Sequence, residues 1–428
     1  MIEKGNKKII RGWAMYDWAN SVYSLVITST IFPIYYNAVT SSDGNDQVVF
    51  LGRQFTNTAL YSYTISAGFL LVVLISPLLS GIADYSGRKK AFMRFFCYLG
   101  SAACCALYFF DKDHLGIGLG GLMLATMGFS GSLVFYNAYL PEIAEVKDQD
   151  RVSALGFGLG YVGSAILLIV NLIMIMSPET FGMPSDGTPA RISFVMTGIW
   201  WFGFSHITFR VLPKNVYQKQ ASGNLLTKGY AELLGVWKQI RTEKALPMFL
   251  TAFFVYSMGV QTMMYMAASF GDKEISMKSD ELITTILIIQ FVAMIGAWAF
   301  SRASSLFGNI RALSVSLVIW VGICVSAYFV YTANAFYLLA AVVGLVMGGI
   351  QSLSRSTYAK MLPETHDHAS YFSFYELCEK TGIVLGTASY GLIEELTGSM
   401  RNSVFALIVF FVVGWFFLFR LPRKNTDL

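Results

Sequence analysis

Asp17, Asn20, Ser24 and Thr28 follow one another at spacings of three and four residues within one apolar run, which puts four polar side chains on a single helical face. Thr126, Ser130 and Asn137 form a similar stripe, Ser257, Gln261 and Tyr265 recur every fourth residue, and Gln351 and Arg355 stand one turn apart. Glu376, Glu379 and Lys380 crowd into two turns further along. An ionisable group at the centre of an apolar membrane helix costs about 2.5–3.5 kcal/mol on insertion scales, so each should face a cavity or a partner. Acids and bases set among amides and hydroxyls can bind a polar solute, carry a proton or form a charged gate. Covalent chemistry is not expected: no nucleophile stands beside a base, and no phosphate loop lies outside the apolar runs. His366-Asp367-His368 lacks a third ligand nearby, so a hydrated loop is expected there and no metal or cofactor. The chain does not read as an enzyme.

The elements carrying these stripes belong in a lipid bilayer. Hydrophobic residues make up 55% of the chain and charged residues only 13%, against roughly 25% charged in a soluble domain. We count twelve apolar runs of about 20 residues, each long enough to cross the hydrocarbon at about 1.5 Å per residue. The expectation is an all-α integral membrane protein of twelve transmembrane helices. The longest hydrophilic break, 213–245, is too short for a domain of its own. Val404 to Phe419 carries no polar side chain except the Trp415 indole and should face lipid. All five cysteines fall within expected spans as small packing residues. Gly158-Leu159-Gly160-Tyr161-Val162-Gly163 fits a dinucleotide fingerprint, yet no strand precedes it. Gly156 and Gly160 have instead the spacing that lets membrane helices pack closely.

Lys and Arg set the orientation. An even span count puts both termini on one side, and most of the cations fall on that side, from Lys4 and Lys7 to Arg420 and Lys424. The opposite loops hold only Arg53, Lys112, Arg191, Lys273, Lys278 and Arg401, so both termini are expected in the cytoplasm of a bacterial inner membrane. Asn45 and Ser276 should then lie outside, with Lys219, Lys228 and Lys424 inside. The net charge of +5 reflects insertion rather than nucleic-acid binding, because no basic segment alternates with stacking aromatics. The first apolar run has no small-residue cleavage site and does not read as a signal peptide.

The chain repeats itself. Tyr136-Asn137-Ala138-Tyr139-Leu140-Pro141-Glu142 returns as Tyr358-Ala359-Lys360-Met361-Leu362-Pro363-Glu364, with the same Tyr-x3-Leu-Pro-Glu order. The turn Gly87-Arg88-Lys89-Lys90 has a worn counterpart at Phe307-Gly308-Asn309-Ile310-Arg311. Two pairs at nearly one offset argue for two homologous six-helix halves, 1–212 and 246–428, joined by the linker 213–245. The second copy has lost the acid that Asp84 supplies in the first, so the turn is expected to hold strongly in the first half and weakly in the second.

The stretch Gly81-Ile82-Ala83-Asp84-Tyr85-Ser86-Gly87-Arg88-Lys89-Lys90 resembles the signature between the second and third helices of the major facilitator superfamily of secondary transporters. Trp13-Ala14-Met15-Tyr16-Asp17-Trp18-Ala19-Asn20-Ser21, Gly348 to Ser356 and Tyr371 to Leu377 resemble its vacuole-effluxer-like branch, over essentially the whole chain. The resemblance implies a monomeric transporter of a small-molecule solute, with amino acids the candidate and protons the candidate coupling ion. It also implies that the first, fourth, seventh and tenth helices line a central cavity between the halves. Asp17, Asn20, Ser24, Asn137, Gln261, Gln351 and Arg355 are then the candidate solute residues. Asp84, Gly87, Arg88, Glu376, Glu379 and Lys380 are the candidate gate. Asp84 is expected at the start of the eleventh helix, where the helix dipole favours an acid, with Arg88 holding the turn. Glu376 and Lys380 form an i,i+4 pair, which leaves Glu379 without a partner on its own helix and makes it the candidate proton carrier. Efflux of amphiphilic compounds and a non-transporting membrane sensor are the competing readings; the span holding Gly156 lacks the Gly-Pro pair of many drug antiporters.

Overall fold

The computed structural model describes residues 4–41, 47–184, 186–214 and 224–422; Asn45, Lys219 and Lys424 lie outside them. Helix α1 (Lys7–Thr40) starts where the Asn6 side chain accepts the N–H groups of Lys8 and Ile9 at 3.0 and 3.3 Å, an N-cap that satisfies two orphan donors. It is followed in the first half by α2 (Asn57–Ser86), α3 (Lys89–Phe109), α4 (Leu115–Ile143), α5 (Val146–Met176) and α6 (Thr188–Val211). A separate linker helix, Leu225–Thr242, leads into the second half. That half comprises α7 (Ala245–Ile275), α8 (Asp280–Phe307), α9 (Asn309–Tyr328), α10 (Ala333–Met361), α11 (His368–Thr397) and α12 (Met400–Phe419).

Eleven of these twelve spans are long and apolar enough to be recognised as membrane helices by hydropathy alone. The exception is α11, whose 30 residues include Glu376, Glu379, Lys380, Glu394 and Glu395. Its charges take it out of the apolar pattern. The remaining spans are covered by lipid-facing residues such as Val409, Val412 and Phe419 of α12, all exposed on the protein's surface.

Within α1, residues Tyr23–Ile31 adopt π-helical geometry. Pro33 lies at the end of this stretch and has no N–H to offer to a carbonyl five residues back. The Tyr61 hydroxyl of α2 donates to the Thr28 carbonyl at 3.1 Å instead. Wide turns of this kind rotate the helix beyond them, so Asp17 and Asn20 are set independently of the outer half of α1. A short antiparallel hairpin follows α1, pairing β1 (Gln47–Phe50) with β2 (Arg53–Thr56). Leu51 and Gly52 have φ of 49° and 75°, as a two-residue turn with both central residues left-handed requires. The hairpin was not anticipated from the sequence.

The two halves meet along two seams. Helices α2 and α4 pack against α11, and α5 packs against α8 and α10. The start of α1, the end of α6, the linker helix and the α2–α3, α4–α5, α8–α9 and α10–α11 turns share one face, called here the terminal face.

Candidate solute site and interhalf latches

Arg355 of α10 is 2% exposed in the middle of the terminal half of the bundle. Its Nη1 donates to Asp17 Oδ2 of α1 at 3.1 Å and to Asn137 Oδ1 of α4 at 3.3 Å. Its Nε and Nη2 donate to Ser153 Oγ and the Ser153 carbonyl of α5 at 2.9 and 2.8 Å. The rings of Phe157, Trp13 and Tyr136 surround the guanidinium at 4.1, 4.9 and 5.5 Å, a cage whose π faces attract a cation. The Tyr136 hydroxyl adds a hydrogen bond to Asp17 Oδ2 at 2.8 Å. One side chain from the second half thus binds three helices of the first.

The network continues through Asn137, whose amide donates to Glu376 Oε1 at 2.8 Å. Lys380 lies 3.3 Å from Glu376 Oε2 and 2.5 Å from Glu379 Oε2. Gln261 of α7 donates to Glu379 Oε1 at 2.8 Å. Glu379 therefore has two partners, where its helix position had left it alone. The long Lys380 stem reaches both its neighbour and the residue one turn back. Of the three carboxylates, Glu379 is the least enclosed, at 17% side-chain exposure against 1% for Glu376 and 6% for Asp17. With all groups ionised, Asp17, Glu376 and Glu379 face Arg355 and Lys380, which leaves one negative charge in excess.

Three expected site residues stand apart from this chain of contacts. Gln351 accepts from the Tyr161 hydroxyl at 2.6 Å and approaches the Met264 sulfur at 3.3 Å, which ties α10 to α5 and α7. Asn20 is buried, and its amide nitrogen has no partner among the described residues. Ser24 is half-buried on the π-helical stretch, where its carbonyl accepts from Thr28 and Ser29. Sequence reasoning missed Trp13, Ser153, Phe157, Tyr161 and the role of Tyr136. The repeat had flagged Tyr136 and Tyr358 together; Tyr358 donates to the Tyr371 carbonyl at 2.6 Å, so each repeat tyrosine fastens a neighbouring helix.

The close approach of α5 to this site depends on glycine. A Cβ at Gly156 would run into Asp17 Oδ2 and lie 3.0 Å from Arg355 Nη2, and one at Gly160 would meet Ser21 Oγ.

Below the network, two latches join the halves. Gly87 ends α2 with φ of 67°, a left-handed turn that glycine adopts without strain. Asp84 accepts the backbone N–H groups of Ala369 and Ser370 at 3.2 and 2.6 Å, at the N-terminus of α11, where orphan donors and the helix dipole favour an anion. Arg88, expected to hold this turn, is exposed, and its guanidinium has no partner among the described residues. Lys89 and Lys90 point inward in its place. Lys89 forms a buried ion pair with Glu142 of α4, and Lys90 donates to the Leu212 carbonyl at 2.5 Å. His368 does not sit in a hydrated loop: it is buried, with Nδ1 3.0 Å from Glu142 Oε1.

The second latch corrects the expectation of a weak counterpart. Asp150 at the start of α5 accepts from Ser304 at 2.8 Å, from Asn309 at 2.8 Å and from Lys360 at 2.7 Å. The acid missing from the α8–α9 turn is supplied from the facing helix. Among the described residues no group of three or more histidine, cysteine or acidic side chains is placed to hold a metal.

Twelve spans in two halves, meeting at a buried charge network, define a major facilitator superfamily transporter. Solved structures agree in fold: the proton:xylose symporter XylE matches with a TM-score of 0.74 over 97% of this chain and 95% of its own, at 10% identity. The transporter FucP in its outward conformation matches with 0.69 over 97% and 98%, at 14% identity. Residues 5–427 match the family model described as vacuole effluxer Atg22 like, and the chain belongs to that family. It is 34% identical to the uncharacterized MFS-type transporter YxiO of Bacillus subtilis, over 97% of this chain and 95% of that one. It is 25% identical to autophagy-related protein 22 of Saccharomyces cerevisiae, over 92% and 88%.

Proposed function

We propose that this protein is a secondary transporter of a small zwitterionic solute, amino acids first among them, working by alternating access with proton coupling. The observation that carries this reading is the unbroken chain Asp17–Arg355–Asn137–Glu376–Lys380–Glu379–Gln261, which crosses from one half to the other. An amino acid brings one cation and one anion, and such a chain offers partners of both signs. The excess negative charge favours uptake of one positive charge, either a solute ammonium or a proton. Glu379 is the least enclosed acid and the site we assign to that charge. Contacts that differ between states are what alternating access requires, and Arg355 can keep its α1, α4 and α5 partners only while the terminal face is closed.

The family description as a vacuole effluxer supports export as the direction. The excess of Lys and Arg on the terminal face supports a cytoplasmic location for that face in the plasma membrane. Flux of radiolabelled amino acids into proteoliposomes, with and without an imposed pH gradient, tests the proposal. Gradient-driven accumulation of at least one zwitterionic amino acid is expected. Equal flux in protein-free vesicles for all of them would overturn it.

A further inference from the structure

The linker helix Leu225–Thr242 has three distinct faces. Gly229, Val236 and Ile240 are buried, and the helix packs mainly on α2. Leu226, Tyr230, Leu234 and Trp237 recur at spacings of four, four and three and form a second stripe, 60%, 55%, 40% and 44% exposed. Lys228, Glu232 and Gln239 occupy the polar remainder. Cations are in excess: Lys228, Lys238, Arg241 and Lys244 against Glu232 and Glu243. A half-exposed apolar stripe flanked by cations is the pattern of a helix lying in a membrane interface.

Its position agrees with that reading. The carbonyl of Gly229 abuts Gly81 of α2, where neither residue has room for a Cβ. Gly81 lies five residues inside the α2 terminus at Ser86, about 7.5 Å of rise, so the linker helix lies against the flank of α2 and not beyond its end. From there the helix crosses to the second half, where the Trp237 ring packs on Phe374 of α11 with centroids 5.4 Å apart. Gln239 accepts from the Tyr371 hydroxyl at 2.7 Å. Tyr371 follows directly on Ala369 and Ser370, the two residues that hold Asp84. The linker helix therefore straps the α2–α11 seam beside the first latch.

We propose that the linker helix embeds its Leu226–Trp237 stripe in the leaflet at the terminal face, that Lys238, Arg241 and Lys244 recognise anionic lipid headgroups there, and that this binding favours the state in which the terminal face is closed. Charge complementarity selects the occupant: a zwitterionic surface would accept the apolar stripe but leave three clustered cations without a counter-charge, whereas an anionic surface attracts each of them. The attraction falls off within a Debye length, so high salt weakens it.

Two measurements on the full-length protein in nanodiscs test this. In a background lacking the five native cysteines, a fluorophore at Leu234→Cys should be quenched by a lipid-borne spin label, whereas one at Lys228→Cys should be quenched several-fold less. Equal quenching at both sites, or none at Leu234→Cys, would overturn the embedded helix. Spin labels at Lys147, at the start of α5, and Glu364, in the α10–α11 turn, both exposed and in opposite halves, report closure as a short distance. Replacing part of the phosphatidylcholine by phosphatidylglycerol should raise the short-distance population, and high salt should reverse the rise. The triple variant Lys238→Gln/Arg241→Gln/Lys244→Gln should retain its melting temperature and lose the response. A response of parental size in that variant, or none in the parent, would overturn recognition of the anionic headgroup.

Discussion

Asp150 of the first half lies 2.7 Å from Lys360 of the second, on the opposite seam from Asp84, whose carboxylate caps α11. Both acids belong to the first half and anchor the second, but they sit on non-equivalent elements: the α2 terminus in one case, the start of α5 in the other. A latch made twice by different chemistry can be opened one side at a time.

Removing either acid should loosen the terminal face. Asp84→Asn keeps one acceptor oxygen and loses the charge, and a hydrogen bond to a charged group contributes about 1.5–3 kcal/mol. The closed-to-open ratio should fall by roughly tenfold or more, with expression intact and transport slowed. Asp150→Asn should act in the same direction, and the double variant should exceed either single change. Spin-label distances between positions 147 and 364 measure this, and an unshifted distribution in Asp84→Asn would remove that carboxylate from the latch.

Breaking the Asp17–Arg355 pair has a different signature, because it leaves a fully enclosed cation behind. Truncating one partner of a buried ion pair costs about 3–5 kcal/mol. Asp17→Asn should therefore lower the melting temperature in detergent more than Asp84→Asn does. Asp17→Asn/Arg355→Gln should recover part of the loss, since contacting residues are not additive. If the double variant melts at the sum of the two single losses, the pair contributes nothing as a pair.

The fold was legible from the apolar runs because that signal is set by lipid, which constrains every span alike. The pairing of Asp17 with Arg355 could be anticipated because both are charges within apolar runs that need partners and both fall on polar stripes. Ser153, Trp13 and Phe157 could not, because serine and aromatics are common packing residues in membrane helices and nothing in their spacing sets them apart. The Asp150 latch was hidden for another reason: comparing the two turns shows an acid missing, and only the folded chain shows it replaced from across the seam. Arg88 and Lys89 differ by one position in a turn, and sequence periodicity does not decide which of two adjacent cations points inward.

Gly156→Ala isolates the role of close packing from that of charge. Alanine has the higher helix propensity by about 0.8–1.0 kcal/mol, so an unconstrained site would be stabilised. Here the added Cβ collides with the Asp17 carboxylate, and overpacking costs typically about 1–3 kcal/mol. The balance predicts a lower melting temperature and a smaller closed population, with no change in charge. Gly203 of α6, where a Cβ meets nothing within 4 Å, is the control: Gly203→Ala should be neutral or stabilising. A Gly156→Ala protein as stable as the parent would mean that α5 can retreat from α1 without cost.

Glu379→Gln separates coupling from binding. Gln261 and Lys380 each hold a different oxygen of Glu379; glutamine keeps an acceptor for one of them and cannot exchange a proton. If Glu379 carries the coupling proton, the variant should lose gradient-driven accumulation by at least tenfold while retaining exchange of internal for external solute, because exchange needs no net proton movement. A binding role would remove both activities, since the solute itself would then lack its anionic partner. A purely structural role would lower stability and leave the ratio of accumulation to exchange unchanged. Glu376→Gln provides the comparison: Glu376 is enclosed between Asn137 and Lys380, so its loss should disturb packing and the closed state before it disturbs coupling. Parental accumulation in Glu379→Gln would take this carboxylate out of the mechanism and pass the excess charge to Asp17 or Glu376.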